Sequence, residues 1–384
     1  MRIRQLSADN PADVQAFVQL PYRLYADNPL WVPQMRADLR NALDPKTHPF
    51  YQAGEAAFFL AEDGGEVVGR IGAIDNLRYN QHNNSHTGFF SYFECVNDQS
   101  VAAALFEAAF SWLTDRGLTE ILGPKGLLQG DGAGMLVEGF DHRPAMGIPY
   151  NQPYYPSMME KLRFEKATDY MSGYLERGYQ LPERVHQIVE RIKERRGYRV
   201  QRFQTKDELR QWLPRVKKVY NQSFGQAFQG PIGFTPMTEQ EIETMANRLL
   251  SLARPDLIKL ILQGDELIGF LFAYPNIGPG LRRASGKMWP FGWLHLLWEM
   301  RTTVWLDING IGILPAHQGR GANAVLYTEL EETVQGTRFQ HADVVQIREE
   351  NLKSMGDMNA LGVHWYKRHR LYRRDLPGSK EQPE

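Results

Sequence analysis

The stretch Ile311-Gly312-Ile313-Leu314-Pro315-Ala316-His317-Gln318-Gly319-Arg320-Gly321-Ala322-Asn323-Ala324 holds the strongest chemical signal in the chain. It closes an apolar run that reads as a strand over 302–314. It opens a helix over 321–335 in which Leu326, Leu330 and Val334 recur every four residues. Glycines at 319 and 321 let the main chain turn tightly and bring successive N–H groups close to a ligand. With the unpaired donors and positive dipole end of the helix, they suit a phosphate or diphosphate. A plain helix-capping turn is the alternative. The glycine pair fits neither a loop ending in Gly-Lys-Ser/Thr nor a Gly-x-Gly-x-x-Gly fingerprint. Upstream, strand alternation places Trp305, Asp307, Asn309, Ile311 and Ile313 on one face. A carboxylate among such neighbours is costly without a role or a partner, which makes Asp307 the first candidate for a general base. An ion-paired or edge-exposed aspartate is the other reading.

Strand, Pro315, then Gln318-Gly319-Arg320-Gly321-Ala322 opening a helix resembles the acetyl-coenzyme A loop of the GCN5-related N-acetyltransferases. That family's pattern is Gln/Arg-x-x-Gly-x-Gly/Ala; Gln318 and Gly321 match it, and Asn323 departs from its last position. Farther on, Asn351, Ser354 and Leu361-Gly362-Val363 fit the family's next helix, so the likeness spans Val304 to Arg374. The resemblance implies acetyl-CoA or another acyl-CoA as co-substrate and direct acyl transfer to a small-molecule amine. It implies that Ile311, Gly312 and Ile313 pair with the pantetheine arm, that Gln318, Gly319, Arg320, Gly321, Ala322 and Asn323 hold the diphosphate, and that Asn351 and Ser354 contact the pantetheine. Amide formation also needs a base for the amine and a proton for the departing thiolate. Asp307 is the first choice of base, Glu350 and its neighbour Glu349 the second, and Glu94 a more distant one. The family's general-acid tyrosine, seven residues beyond the helix asparagine, is here Met358, which leaves water or another phenol, such as Tyr366 or Tyr372 on the last strand. That departure keeps a second reading open, a non-catalytic coenzyme A sensor or interaction protein.

The elements that must position these residues occur twice. Residues 58–74 and 258–274 both read as hairpins, with Gly-Gly-Glu-Val-Val-Gly at 64–69 standing against Gly-Asp-Glu-Leu-Ile-Gly at 264–269, and Asn151 and Asn351 each open a helical stretch at the same offset of 200. Two copies of one α/β fold follow, each a mixed, mostly antiparallel sheet flanked by helices. They divide near residue 178 into 1–178 and 179–384, with a linker helix within 179–197 whose stripe is Val185, Ile188, Val189 and Ile192. The first half has Glu94-Cys95-Val96-Asn97-Asp98-Gln99-Ser100 where the second has its glycine loop. Two acids and no glycine there predict a degenerate copy, with coenzyme A preferring the second half.

Composition sets the outer bounds. Of 384 residues, 44 are Lys or Arg and 45 Asp or Glu, so no global positive field attracts nucleic acid. Cys95 is the only cysteine, which excludes a disulfide framework and cysteine-rich metal sites; with no signal-peptide pattern at the amino terminus, a cytoplasmic location is expected. His82 and His86 flank a turn and are not expected to bind metal. Gly130-Asp131-Gly132-Ala133-Gly134 reads as a connection, and Lys193–Arg199 as a solvated face. The segment 277–300, basic and then aromatic, is too short to span a bilayer. An apolar substrate pocket, a membrane-surface contact, a homo-oligomer contact and plain packing on the sheet are its four readings.

Overall fold

A computed structural model describes residues 1–128, 130–176, 180–227, 232 and 234–377, without the side chains of 225–227, 248, 249, 251 and 252. The division near 178 and the tail from 378 lie outside the described residues. The first half comprises β1 (Arg2–Gln5), α1 (Pro11–Leu24), α2 (Arg36–Leu43), β2 (Glu55–Asp63), β3 (Glu66–Asp75), α3 (Leu77–Asn83), β4 (Thr87–Cys95), α4 (Gln99–Thr114), β5 (Glu120–Gly123), β6 (Met135–Glu138), α5 (Tyr155–Lys161) and β7 (Glu165–Glu176). The second comprises α6 (Glu183–Arg196), β8 (Tyr198–Gln201), α7 (Lys206–Gln211), α8 (Leu213–Ala227), α9 (Glu239–Leu252), β9 (Ile258–Gln263), β10 (Glu266–Pro275), α10 (Gly278–Arg283), α11 (Gly292–Thr302), β11 (Trp305–Ile313), α12 (Ala322–Val334), β12 (His341–Arg348), α13 (Leu352–Ala360) and β13 (His364–Asp375).

The repeat is visible in register as well as order. Asp63 pairs with Glu66 across one hairpin tip and Gln263 with Glu266 across the other, and Gly64, Gly65 and Gly264 supply the positive φ those turns need. In each half one pair of strands is parallel, β4 with β5 and β11 with β12, and the rest of the ladder is antiparallel. A helix makes each parallel crossover: α4 buries Ala102, Leu105, Phe106, Ala109 and Leu113, and α12 buries Ala322, Val325, Leu326 and Leu330. The linker helix α6 packs Val185, Val189 and Ile192 on the second core, whereas Ile188 of the expected stripe faces solvent. The strand β6 is one that periodicity does not reveal.

The last strands change places. The sheet runs β1-β2-β3-β4-β5-β13-β7-β12-β11-β10-β9-β8, with β6 paired on β13. Thus β7, from the first half of the chain, pairs with β12, and β13, from the second, pairs with β5. The cores follow the strands: Tyr372 and Leu376 pack with Phe90, Phe106 and Phe164 in the first core, and Leu175 packs against Val344, Met358 and Val363. Each half therefore completes the other, as in a domain swap held within one chain.

Candidate functional site

The site begins with a bulge. Along β11, Ile308 pairs with Ala273 and Ile311 with Leu271, so two residues, Asn309 and Gly310, stand opposite the single Phe272. Gly310 has φ +118°, a conformation that L side chains rarely adopt. The extra residue reverses the alternation, and Ile308 and Ile311 come to one face while Asp307, opposite Tyr274, points to the other. The expectation that Asp307, Ile311 and Ile313 share a face is thereby corrected. Strand β12 carries a bulge at the same level, with Gln346 at φ +43° between the paired Val344 and Ile347. Pairing of β11 with β12 stops at Ile308–Val344, and the strands part. Between them lies a cavity of about 150 Å³, lined by Ile308, Gly310 and Ile311, by Val344 to Arg348, by Asn351, and by Ser354 and Met358 of α13. Strand β7 contributes Tyr170 and Leu175, so both halves of the chain build the wall.

At one end of the free edge of β11 the chain turns into α12. Gly319 and Gly321 have φ +69° and +86°, and the amides of Gly319, Arg320 and Gly321 have no hydrogen-bond partner among the described residues. The first-turn amides of α12, at Ala322 and Asn323, are unpaired by helix geometry. Arg320 is exposed, and the Gln318 side chain donates to the Ile313 carbonyl at 3.1 Å, tying the loop to β11. A Cβ on Gly319 would meet open space; one on Gly321 would fall 2.4 Å from Cδ1 of Ile192 on α6. The Asn323 side chain donates to Asp357 at 2.6 Å, joining α12 to α13 where the family pattern has a small residue. Asn351 caps α13 by accepting from the Ser354 N–H at 3.1 Å while lining the cavity. Gly312 packs under Phe270, and Ile313 opposes Gly269; neither lines the cavity wall. These donors and this unpaired edge fit an anionic ligand with an amide-bearing arm, as coenzyme A has.

On the opposite face of β11 is a buried charged cluster. Asp307 is fully buried and accepts from the Met146 N–H at 2.7 Å and from the Asn276 side chain at 2.9 Å. Asp343 lies beside it in parallel register and takes hydrogen bonds from Lys367 and, at 2.7 Å, from the Tyr366 hydroxyl. Its Oδ1 has no hydrogen-bond partner among the described residues. Burial first, then the Asp343 charge, push the Asp307 carboxyl up to about 7, against the donors of Met146 and Asn276 and the charge of Lys367. Burial and Asp343 likewise raise the Tyr366 phenol far above its ordinary range. Arg143 donates to the Asn276 side chain, and its carbonyl accepts from Lys367 at 2.9 Å. Arg143, Asn276, Asp343 and Lys367 are not legible in the sequence as site residues; a lysine wholly inside a strand pattern, at Lys367, is the available signal.

The other candidates lie elsewhere. Glu350 accepts from Thr168 of β7 at 2.6 Å and from Arg348, and Glu349 accepts from Lys166 and the Asp169 N–H. Tyr372 is buried in the first core. The phenols that do line the cavity are Tyr170 and Tyr327, and Met358 lines it where the resemblance implies a tyrosine. In the first half the equivalent bulge, between the pairs Arg70–Glu94 and Gly72–Ser91 with Tyr92 at φ +52°, is filled. Glu94 accepts there from the hydroxyls of Tyr25 and Tyr155 at 2.7 and 2.8 Å, and Asp98 caps α4 through the Ser100 N–H.

No family model matches the chain. It is 27% identical over 379 residues to "Protein YghO" of Escherichia coli (strain K12), covering 96% of this chain and 94% of that protein. It is 28% identical over 378 residues to "Bacterial ceramide synthase" of Caulobacter vibrioides (strain NA1000 / CB15N), covering 95% and 96%. Among solved structures, a "Tandem GNAT protein from the clavulanic acid biosynthesis pathway (without AcCoA)" superposes with a TM-score of 0.57 over 100% of this chain and 99% of that one, at 12% identity. The parted strands, the glycine turn into α12 and the internal duplication, with this superposition, give the chain the fold of the tandem GCN5-related N-acetyltransferases.

Proposed function

We propose that this protein is an N-acyltransferase that takes its acyl group from an acyl-CoA and passes it to a long-chain amine. The observation that carries the reading is the parting of β11 from β12 at two matched bulges, leading to the glycine turn at 319–321. A bound acyl-CoA supplies the acyl group as a thioester. The loop amides and Arg320 would hold its diphosphate, and the unpaired edge of Asn309 to Ile313, with Asn351 and Ser354, its pantetheine arm. The first half would bind none, since Glu94, Tyr25 and Tyr155 fill its counterpart. Asp307, poised near neutrality, accepts the amine proton directly or through water, with Asp343 and Lys367 setting its charge. The thiolate takes its proton from water or from Tyr170 or Tyr327. A relative named for ceramide synthesis supports the lipid amine, because a ceramide is the amide of a long-chain amino alcohol. The lone, buried Cys95 supports a reducing, cytoplasmic setting.

The test is release of free thiol from a panel of acyl-CoA esters with small amines and with long-chain amines. Sustained release with a long-chain amine supports the reading. Coenzyme A uptake without turnover supports instead a non-catalytic binding protein, which Met358 and the fully hydrogen-bonded Asp307 favour. Absence of uptake sinks both.

A further inference from the structure

The segment between β10 and β11 has no counterpart of its size in the first half, where only the short α3 separates the hairpin from β4. Its helix α11 is apolar on two faces. The inner one buries Leu296 beside Ile277 and Leu281, with Val32, Met35 and Met146 of the first half packed on them. The outer one presents Trp293, Leu294, Leu297 and Trp298 to solvent, and the preceding turn adds Met288, Trp289 and Phe291. Trp289 is 80% exposed, Phe291 66% and Trp298 65%. A second apolar face on a helix is normally covered, and an exposed patch of this kind marks an interaction surface.

Charge identifies what covers it. Over 278–302 the chain carries Arg282, Arg283, Lys287 and Arg301 against one acid, Glu299, which is paired with Arg283, whereas the whole protein has net charge −1. Exposed indole rings in the same segment as exposed cations are the composition that seats a protein at the headgroup level of an anionic bilayer. A second copy fits less well, because self-association would set like charge against like charge. The segment is also firmly held. Arg282 donates to the Pro29 carbonyl, the Arg36 N–H to the Gly286 carbonyl at 2.9 Å, and Arg36 Nε to the Ser285 carbonyl at 2.9 Å. Its root, Asn276, is hydrogen-bonded to Asp307. No helix among the described residues is long and apolar enough to cross a membrane.

We propose that the aromatic face of α10–α11 docks this protein on the surface of an anionic lipid bilayer, with the Asp307 end of the site next to the lipid. This goes beyond the acyltransferase reading and does not depend on it. The full chain is floated with vesicles of phosphatidylglycerol and phosphatidylethanolamine, and separately with vesicles of phosphatidylcholine, at low and at 0.5 M salt. We expect binding to the anionic vesicles at least tenfold tighter than to the neutral ones, weakened by salt, and reduced at least tenfold in the double variant Trp289→Ser, Trp298→Ser. Circular dichroism and coenzyme A uptake, unchanged in that variant, establish that it folds. Should it not fold, quenching of tryptophan fluorescence in the unaltered protein by brominated phosphatidylglycerol decides the matter. No binding at low salt, equal binding by the folded variant, or absence of quenching overturns the proposal. So does a dimer of the unaltered protein that the variant dissolves and that leaves vesicles unbound.

Discussion

Ile308 and Ile311 share one face of β11 although they stand three positions apart in the chain, because the bulge at Asn309–Gly310 adds one residue to the strand against Phe272. That single insertion opens the cleft to one side and turns Asp307 to the other, where Asp343 meets it. Replacing Gly310 with alanine meets no steric obstacle, since open space surrounds it, but its φ of +118° is strained for any Cβ-bearing residue. We expect a loss of about 1–3 kcal/mol in stability, read from denaturant melts, together with a raised KM for the acyl donor. Unchanged values for both would show that the bulge is not needed.

Gly319 and Gly321 should respond differently to alanine. Both have positive φ, yet only at Gly321 does the new Cβ fall on Ile192 of the linker helix, at 2.4 Å. Calorimetry on Gly321→Ala is expected to show coenzyme A affinity down at least tenfold and melting temperature lowered. Gly319→Ala should lose less of each.

The Asp307 carboxyl, raised to about 7 by burial and by Asp343, gives two pH signatures. As a base it must be ionised, so kcat/KM should climb with an apparent pKa near 7, and Asp307→Asn should remove that acid limb along with most of the rate. In stability the sign is the reverse. Between roughly 4 and 7 the folded chain holds a proton that the unfolded chain has released, so unfolding free energy falls as pH rises through that window. Chemical denaturation of Asp307→Asn across the same range should show that slope flattened.

The filled bulge of the first half predicts one coenzyme per chain. Titration calorimetry should give a single site, and Tyr155→Phe, which strips one donor from the half-buried Glu94, should cost about 1–3 kcal/mol in stability without creating a second site. A stoichiometry of two would contradict the assignment of Glu94.

Exchange of the last strands makes the halves interdependent. Expressed alone, 1–178 has an unpaired β5 edge and lacks Tyr372 and Leu376 from its core, while 179–384 lacks the β7 wall of its cleft. Circular dichroism and gel filtration of the separate halves should show incomplete folding, and co-expression should restore one compact complex.

Much of this was legible because it is local. The hairpins over 58–74 and 258–274, the helices after β4 and β11, and the glycine turn at 319–321 follow from period, turn chemistry and spacing, and all recur in the fold. Asp307 stands out because an acid in an apolar strand needs a role or a partner. Its face is not legible, because alternation assumes an unbroken ladder, and a bulge is set by the partner strand as much as by its own residues. The place of Tyr366 on the last strand is legible; its commitment to Asp343 depends on β12, which no spacing connects to it.

The sequence by itself determined the duplication, the α/β class, and which half has a glycine turn opening its crossover helix, since these rest on residue types within short windows. Tertiary structure alone decided that β7 and β13 trade places, that Tyr170 of the first half lines the second half's cleft, and that Asp307 meets Asp343, Asn276 and Met146. Strand order and register are choices among pairings of similar local energy, settled by how the whole sheet closes its edges and fills its two cores.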